Sequence, residues 1–196
     1  MSKDPLDLRP ENLLSPAKGR LLVSAPFLAD PYFRRTVVLL CEHDDRGSFG
    51  FVLNRQLEIG TEELGLDLPA LSMRIGIGGP VSGGELFYLH TIGRHLEGSV
   101  LVVDDVHVGG ELEQLRELLR ADPRLAEHVR FFVGYSGWSE GQLAREIDER
   151  SWLVTTARVT DLMSRMSDAQ LWRSTLKRMG GDYAPLANFP EDPSLN

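Results

Sequence analysis

Between Thr36 and Arg55 the chain reads TVVLLCEH, DDRG, SFGFVLNR, and this stretch restricts the fold more than any other. Its first part is a continuous apolar, β-branched run, which predicts a strand covered on both faces. The middle part is a turn. The last part comes back as a second strand, so residues 36–55 read as an antiparallel hairpin. RLLVSA before it is a first strand. DPYF supplies an Asp cap and a Pro at the first helical position, enough for one helical turn near Asp30.

Beyond the hairpin, TEELGLDL reads as a short polar helix. MRIGIGGPVSGGELFYLHTIG reads as strand, glycine turn and strand, and SVLVVDDVHV as a single further strand. ELEQLRELLR puts Leu112, Leu115, Leu118 and Leu119 on one helical stripe. VRFFVGYS is a strand, SEGQLAREIDER a helix, SWLVTTA a last strand and SDAQLWRSTLKRM a closing helix. Strands come first, joined by tight turns, and helices arrive late. That order predicts an α+β domain with a mostly antiparallel sheet. Residues 1–18 are polar and read as a flexible segment, residues 19–181 as one domain, and residues 182–196 as an irregular tail.

A chain of 196 residues can bury a core without metal or disulfide help. Its single cysteine, Cys41, sits among apolar residues and reads as a small core side chain. The N-terminal residues contain no apolar run long enough for a signal sequence or a membrane span, so the expected location is cytoplasmic. The net charge of −8 argues against direct nucleic-acid binding, which draws on Lys and Arg neutralising phosphates. The basic groups Arg34-Arg35, Arg116/Arg120/Arg124 and Lys177-Arg178 are short, mixed with carboxylates, and read as solvated faces.

The stretch GYSGWSEGQLAREI, residues 134–147, resembles a nucleophile elbow around Ser136. Such an elbow needs Gly two residues either side of the serine, and here Trp138 stands on one side. All five histidines, at positions 43, 90, 95, 107 and 128, also precede Ser136, opposite to the order a hydrolase of that class requires. Ser139 and Gln142 instead have the spacing of a capping box, with Trp138 and Leu143 as the hydrophobic staple. Ser167 and Gln170, with Met166 and Leu171, repeat the grammar. Gly134 and Gly137 let the backbone turn sharply or let another segment pass closely.

FVLNR (51–55), GIGGPV (76–81), FYLHT (87–91) and GYSGWSEGQLAREI (134–147), followed by Trp152 and Trp172, resemble the AlgH/YqgE family of bacterial proteins. The resemblance runs from about Gly19 to Gly180. Gln56 stands where that family usually has Pro, a local change of turn. The resemblance implies a bifurcated, largely antiparallel sheet folded into a pseudo-barrel, with helices packed outside it. It implies a cytoplasmic protein carrying a transcriptional-regulator label, and it brings no catalytic residue and no cofactor. No basic recognition helix accompanies that label here.

GIGGPVSGG has no lysine and opens a strand, so it is neither a Walker loop nor a dinucleotide fingerprint. Gly78, Gly79 and Pro80 read as a tight β-connection. VVDDVHV puts Asp105 and His107 on one strand face and Asp104 on the other; two ligands are too few for a metal site, so none is assigned. Asn54, Arg55, His90, Trp138, Gln142 and Glu146 fall within the family motifs. If they converge, they make a polar pocket with an aromatic wall, suited to a small polar or anionic ligand. The leading reading is a non-enzymatic binding or regulatory domain with an unknown protein or small-molecule partner and no cofactor. Its rival is an enzyme using His90 or Glu146 as general base and Arg55 as anion holder.

Overall fold

The computed structural model describes residues 11–12, 14–57, 67–68, 75–163 and 168–190. Strands β1 (Arg20–Ser24), β2 (Val37–Asp44) and β3 (Gly47–Val52) run antiparallel in sequence, and β10 (Trp152–Thr156) lies outside β1. The run VVLL has no polar face because β2 feeds two cores. Val38 and Leu40 pack with Leu22, Trp138 and Trp152 on one side. Leu39 and Cys41 pack with Leu21, Phe51 and Trp172 on the other. Register slips between Leu40 and Glu42, a bulge that leaves Cys41 as the extra residue.

The long strand β9 (Val129–Ser139) organises everything else. Its far end pairs with β3, Gly50 opposite Ser136 and Gly47 opposite Ser139. Its near end pairs with β6 (Val81–His90), which carries β8 (Val106–Val108) and then β7 (Val100–Val103). Below Gly50 strand β3 leaves β9, and β5 (Ile75–Ile77) enters the gap parallel to Phe131–Val133, with β4 (Gln56–Leu57) along its outer edge. The other pairings are antiparallel. The sheet therefore forks, and it curls until β7 meets the start of β1: a Cβ on Gly19 would stand 2.9 Å from the carbonyl of Val102. This is the bifurcated antiparallel half-barrel of an α+β domain.

Helices pack against both faces of the curled sheet. On α1 (Leu112–Ala121), Leu115 and Leu119 are buried against Ile75, Tyr88 and Phe131. Leu143 of α2 (Gln142–Asp148) packs beside Trp138 and Trp152. Leu162 of α3 (Val159–Leu162) and Leu171, Trp172 and Leu176 of α4 (Asp168–Met179) close the largest core. The expected turn at Asp30 is present, its Oδ1 accepting from the backbone of Tyr32 at 2.8 Å.

The structure corrects several expectations. SVLVVDDVHV is a hairpin, β7 to β8, with Asp104 at φ 52 in the turn. Asp104 and Asp105 are thus turn residues rather than opposite faces of one strand. Helix α2 begins after Gly141, at φ 67, so Ser139 still belongs to β9 and only part of the capping box forms: Gln142 Oε1 accepts from Ser139 N at 3.1 Å. The tail is not irregular throughout, since Gly181–Asn188 makes 3-10 turns that bury Tyr183, Leu186 and Ala187. Within the segment read as flexible, Asn12 brackets the β10 edge, donating to Trp152 O at 2.8 Å and accepting from Val154 N at 2.6 Å. The second capping box, at Ser167, and most of TEELGLDL lie outside the described residues.

Candidate functional site

Ser136 is buried, and its hydroxyl donates to the carbonyl of Gly78 at 3.0 Å. The same carbonyl accepts from Val52 N at 2.8 Å, and Gly78 N donates to Val133 O at 2.9 Å. Ser136 therefore stands at the fork and ties β3, the turn after β5 and β9 together. The glycines around it permit that approach. A Cβ on Gly78 would lie 2.3 Å from Gly134 O, and one on Gly79 2.3 Å from Tyr135 O. Gly134, at φ 69, allows both the turn and the close passage. Pro80 follows as the chain enters β6. A Cβ on Gly137 would meet only the Tyr135 ring, at 3.2 Å.

The six pocket residues do not converge. His90 lies opposite Val129 at one end of β9, and Trp138 lies opposite Ser48 at the other. The two positions are separated by about 30 Å along the strand at its usual rise. Asn54 and Arg55 lie between, beside β5, where Arg55 O accepts from Ile77 N. Asn54 is spent on backbone: its Oδ1 accepts from Val37 N at 2.7 Å and its Nδ2 donates to Arg35 O at 2.8 Å. Arg55 donates to Arg34 O at 2.5 Å and to Asn54 O at 3.3 Å.

Trp138, Gln142 and Glu146 do meet, with a partner the sequence reading left out. Indole Nε1 of Trp138 donates to Glu146 Oε2 at 2.8 Å, and Nε1 of Trp152 donates to the same oxygen at 2.7 Å. Gln142 Nε2 donates to Oε1 at 2.9 Å. The two indoles meet edge to face at 5.9 Å, and Phe33 stacks on Trp138 at 6.0 Å. One carboxylate thus fastens α2 to β9 and β10 through charge-assisted bonds. Three of its roughly four acceptor sites are thus taken by these donors. Trp152 was visible as a family tryptophan six residues past Glu146. Only the helix-to-strand return shows that they touch.

Two surface cavities flank this clasp. One of about 330 Å³ is lined by Asn12, Ile147, Arg150 and Trp152. The other, of about 370 Å³, is lined by Glu42, Asp44, Arg46, Phe49 and Trp138. Asn54, Arg55 and His90 line neither.

At the opposite end of β9, His90 is fully buried. Its Nε2 lies 2.8 Å from Gly109 O, an acceptor only, so Nε2 carries the proton. Ser99 Oγ lies 3.3 Å away, and Nδ1 has no hydrogen-bond partner among the described residues. The His107 ring stacks on it at 5.7 Å and 16°. Burial holds the His90 pKa below the ordinary 6.5, against the bond to Gly109, and His107 lowers it further. Cys41 is likewise buried, and burial raises its thiol far above the ordinary range, which leaves it inert. Among the described residues no three or more His, Cys, Asp or Glu are placed to hold a metal ion.

The basic groups are engaged locally. Arg35 donates to Phe189 O and lies 4.8 Å over Trp172. Arg116 pairs with Glu113, Arg120 with Asp67, Arg124 with Asp122 and Arg178 with Asp161. No helix among the described residues is long and apolar enough to cross a membrane.

Comparison with known proteins places the chain among relatives along nearly its whole length. Residues 21–184 match the profile of the family described as AlgH-like. A UPF0301 protein of Cytophaga hutchinsonii is 39% identical over 180 residues, covering 91% of this chain and 98% of the relative. A UPF0301 protein of Bacteroides thetaiotaomicron is 31% identical over 197 residues, covering 100% and 99%. Two solved structures superpose well. The crystal structure of protein DIP2367 from Corynebacterium diphtheriae has a TM-score of 0.78 at 23% identity, over 96% of this chain and 100% of that one. The solution structure of AlgH from Pseudomonas aeruginosa, a UPF0301 protein, has a TM-score of 0.68 at 25% identity, over 97% and 98%.

Proposed function

The chain belongs to the AlgH-like family, and from that premise we propose that it is a non-enzymatic cytoplasmic binding domain acting through a protein partner. The observation that carries this reading is the exposed start of β7, ahead of the Val102–Val103 stretch that meets Gly19. Strand β7 is the last in the order, and its adjacent Val100 and Leu101 are 47% and 51% exposed. An edge strand with apolar side chains in water suits an extended protein segment that adds a further strand. Any part in regulation then runs through that partner rather than through direct contact with DNA. The ion pairs of Arg116, Arg120, Arg124 and Arg178 support this, since these cations are already matched by carboxylates. The rival enzyme around His90, Arg55 and Glu146 lacks the convergence it required.

A photo-crosslinking residue in place of Leu101, compared in cells with one in place of Glu149 on α2's exposed end, tests the reading. Discrete protein adducts at position 101 alone are expected. Equal adducts at both positions, or none at 101, would remove the β7 surface. A thermal shift of several degrees with a metabolite would turn the reading toward a small-molecule ligand.

A further inference from the structure

The end of the sheet holding His90 is built around two imidazoles, and one of them, His107, lies directly opposite Leu101 of the proposed binding surface. His90, at the end of β6, donates through Nε2 to Gly109 O just after β8 and reaches Ser99 Oγ, which in turn donates to Leu96 O at 2.7 Å. His107 of β8 stacks on it. On its other contacts the His107 ring packs on Gly93 so closely that a Cβ there would lie 2.4 Å from its Nε2, and His107 Nδ1 lies 2.8 Å from Asp105 O. The stack therefore joins β6, the 3-10 turn at Gly93–His95, the loop to Ser99 and the β7–β8 hairpin.

We propose that the His90–His107 stack is an acid-sensitive latch, which holds the β7–β8 hairpin and the 93–99 segment on β6 while both rings are neutral and releases them on protonation. A second proton on His90 must go to Nδ1, a buried atom with no acceptor in reach among the described residues. A proton on His107 would put a cation face to face with it. Among the described residues no carboxylate, Glu97, Asp104, Asp105 and Glu111 included, is hydrogen-bonded to either ring. Tyr88 of β6 lies 5.8 Å from His90, and its hydroxyl donates to Gly110 O. Burial, and then Glu111 before α1, raise the Tyr88 pKa to about 12, so the phenol stays neutral. His128, before β9, is bonded to Thr91 Oγ1 at 2.8 Å, and His95 is exposed. The relief available is for the hairpin to open and let water reach Nδ1.

The test is amide hydrogen exchange of the full chain at pH 7.5 and 5.5, corrected for intrinsic rates, with imidazole nitrogen NMR on the same sample. Amides of Val106, Val108 and Gly109 are expected to exchange at least tenfold faster at pH 5.5, while those of β1 and β2 stay within twofold. His90→Gln keeps a donor for Gly109 O and cannot titrate, so its acid response is expected to fall below twofold. An unchanged exchange rate in the wild type, or the full response in His90→Gln, overturns the latch. If His90→Gln does not fold, the wild-type imidazole spectrum decides. His90 charging at pH 5.5 while hairpin exchange is unchanged overturns the proposal; His90 staying neutral until the hairpin opens upholds it.

Discussion

Glu146 shows what one residue can settle. Its carboxylate is the common acceptor of Trp138, Trp152 and Gln142, so Glu146→Ala strands two buried indole donors and should cost about 2–4 kcal/mol, whereas Glu146→Gln, which keeps one carbonyl oxygen, should cost about 1 kcal/mol. Urea unfolding followed by tryptophan emission measures both. His90 gives a prediction of opposite kind. Its folded pKa lies below the ordinary 6.5, so between those two values the unfolded chain binds more protons than the folded one. Stability is then complete above about pH 6.5 and declines as pH falls below it. Denaturation midpoints at pH 7.5 and 5.5 should show that loss in the wild type and a smaller one in His90→Gln. At this scale the sequence told only part of the story. Capping-box spacing at Ser139 and Gln142 was readable, as was the poor fit of Trp138 to an elbow. That Glu146 grips two tryptophans was not, because hydrogen-bond partners across a helix-to-strand return leave no periodic mark.

Among the elements, those specified by local pattern came out as read: the hairpin of β2 and β3, the leucine stripe of α1, the strand opened by GIGGPV. Elements specified by a partner far along the chain did not. The parallel insertion of β5 beside β9 depends on space left where β3 diverges, and no window around Ile75 contains that information. Asp104-Asp105 reads through as strand because valines flank it on both sides. The turn needed a positive φ at Asp104, a conformation Asp tolerates but does not announce as Gly does. The insertion supplies its own test. Gly78→Ala places a Cβ 2.3 Å from Gly134 O and 2.8 Å from the Phe51 ring, and should cost about 3 kcal/mol or abolish folding. Gly84→Ala, at φ 74 with nothing within 4 Å, suffers only backbone strain of about 1–2 kcal/mol. Thermal unfolding of the two variants separates crowding from strain.

For the molecule as a whole, β9 is the strand that all three cores share. Phe132 lies in the largest core, Phe131 under α1, and Trp138 beside α2. Losing one core therefore removes a wall from the others. Unfolding followed by tryptophan fluorescence and by far-ultraviolet circular dichroism should give coincident transitions, and separated midpoints would show the α1 side melting alone. The pocket assembled from motif letters fails at this scale, since residues drawn from three motifs lie at three separate places, at the two ends of β9 and beside β5.

The fork has a temporal consequence. Ribosomes deliver β3, β5 and β6 long before Val129–Ser139 emerges, so a nascent chain carries incomplete, adhesive borders until its keystone arrives. Synthesis halted ahead of Val129 would release fragments prone to clump, and chaperone demand should peak there and drop once Ser139 clears the exit tunnel.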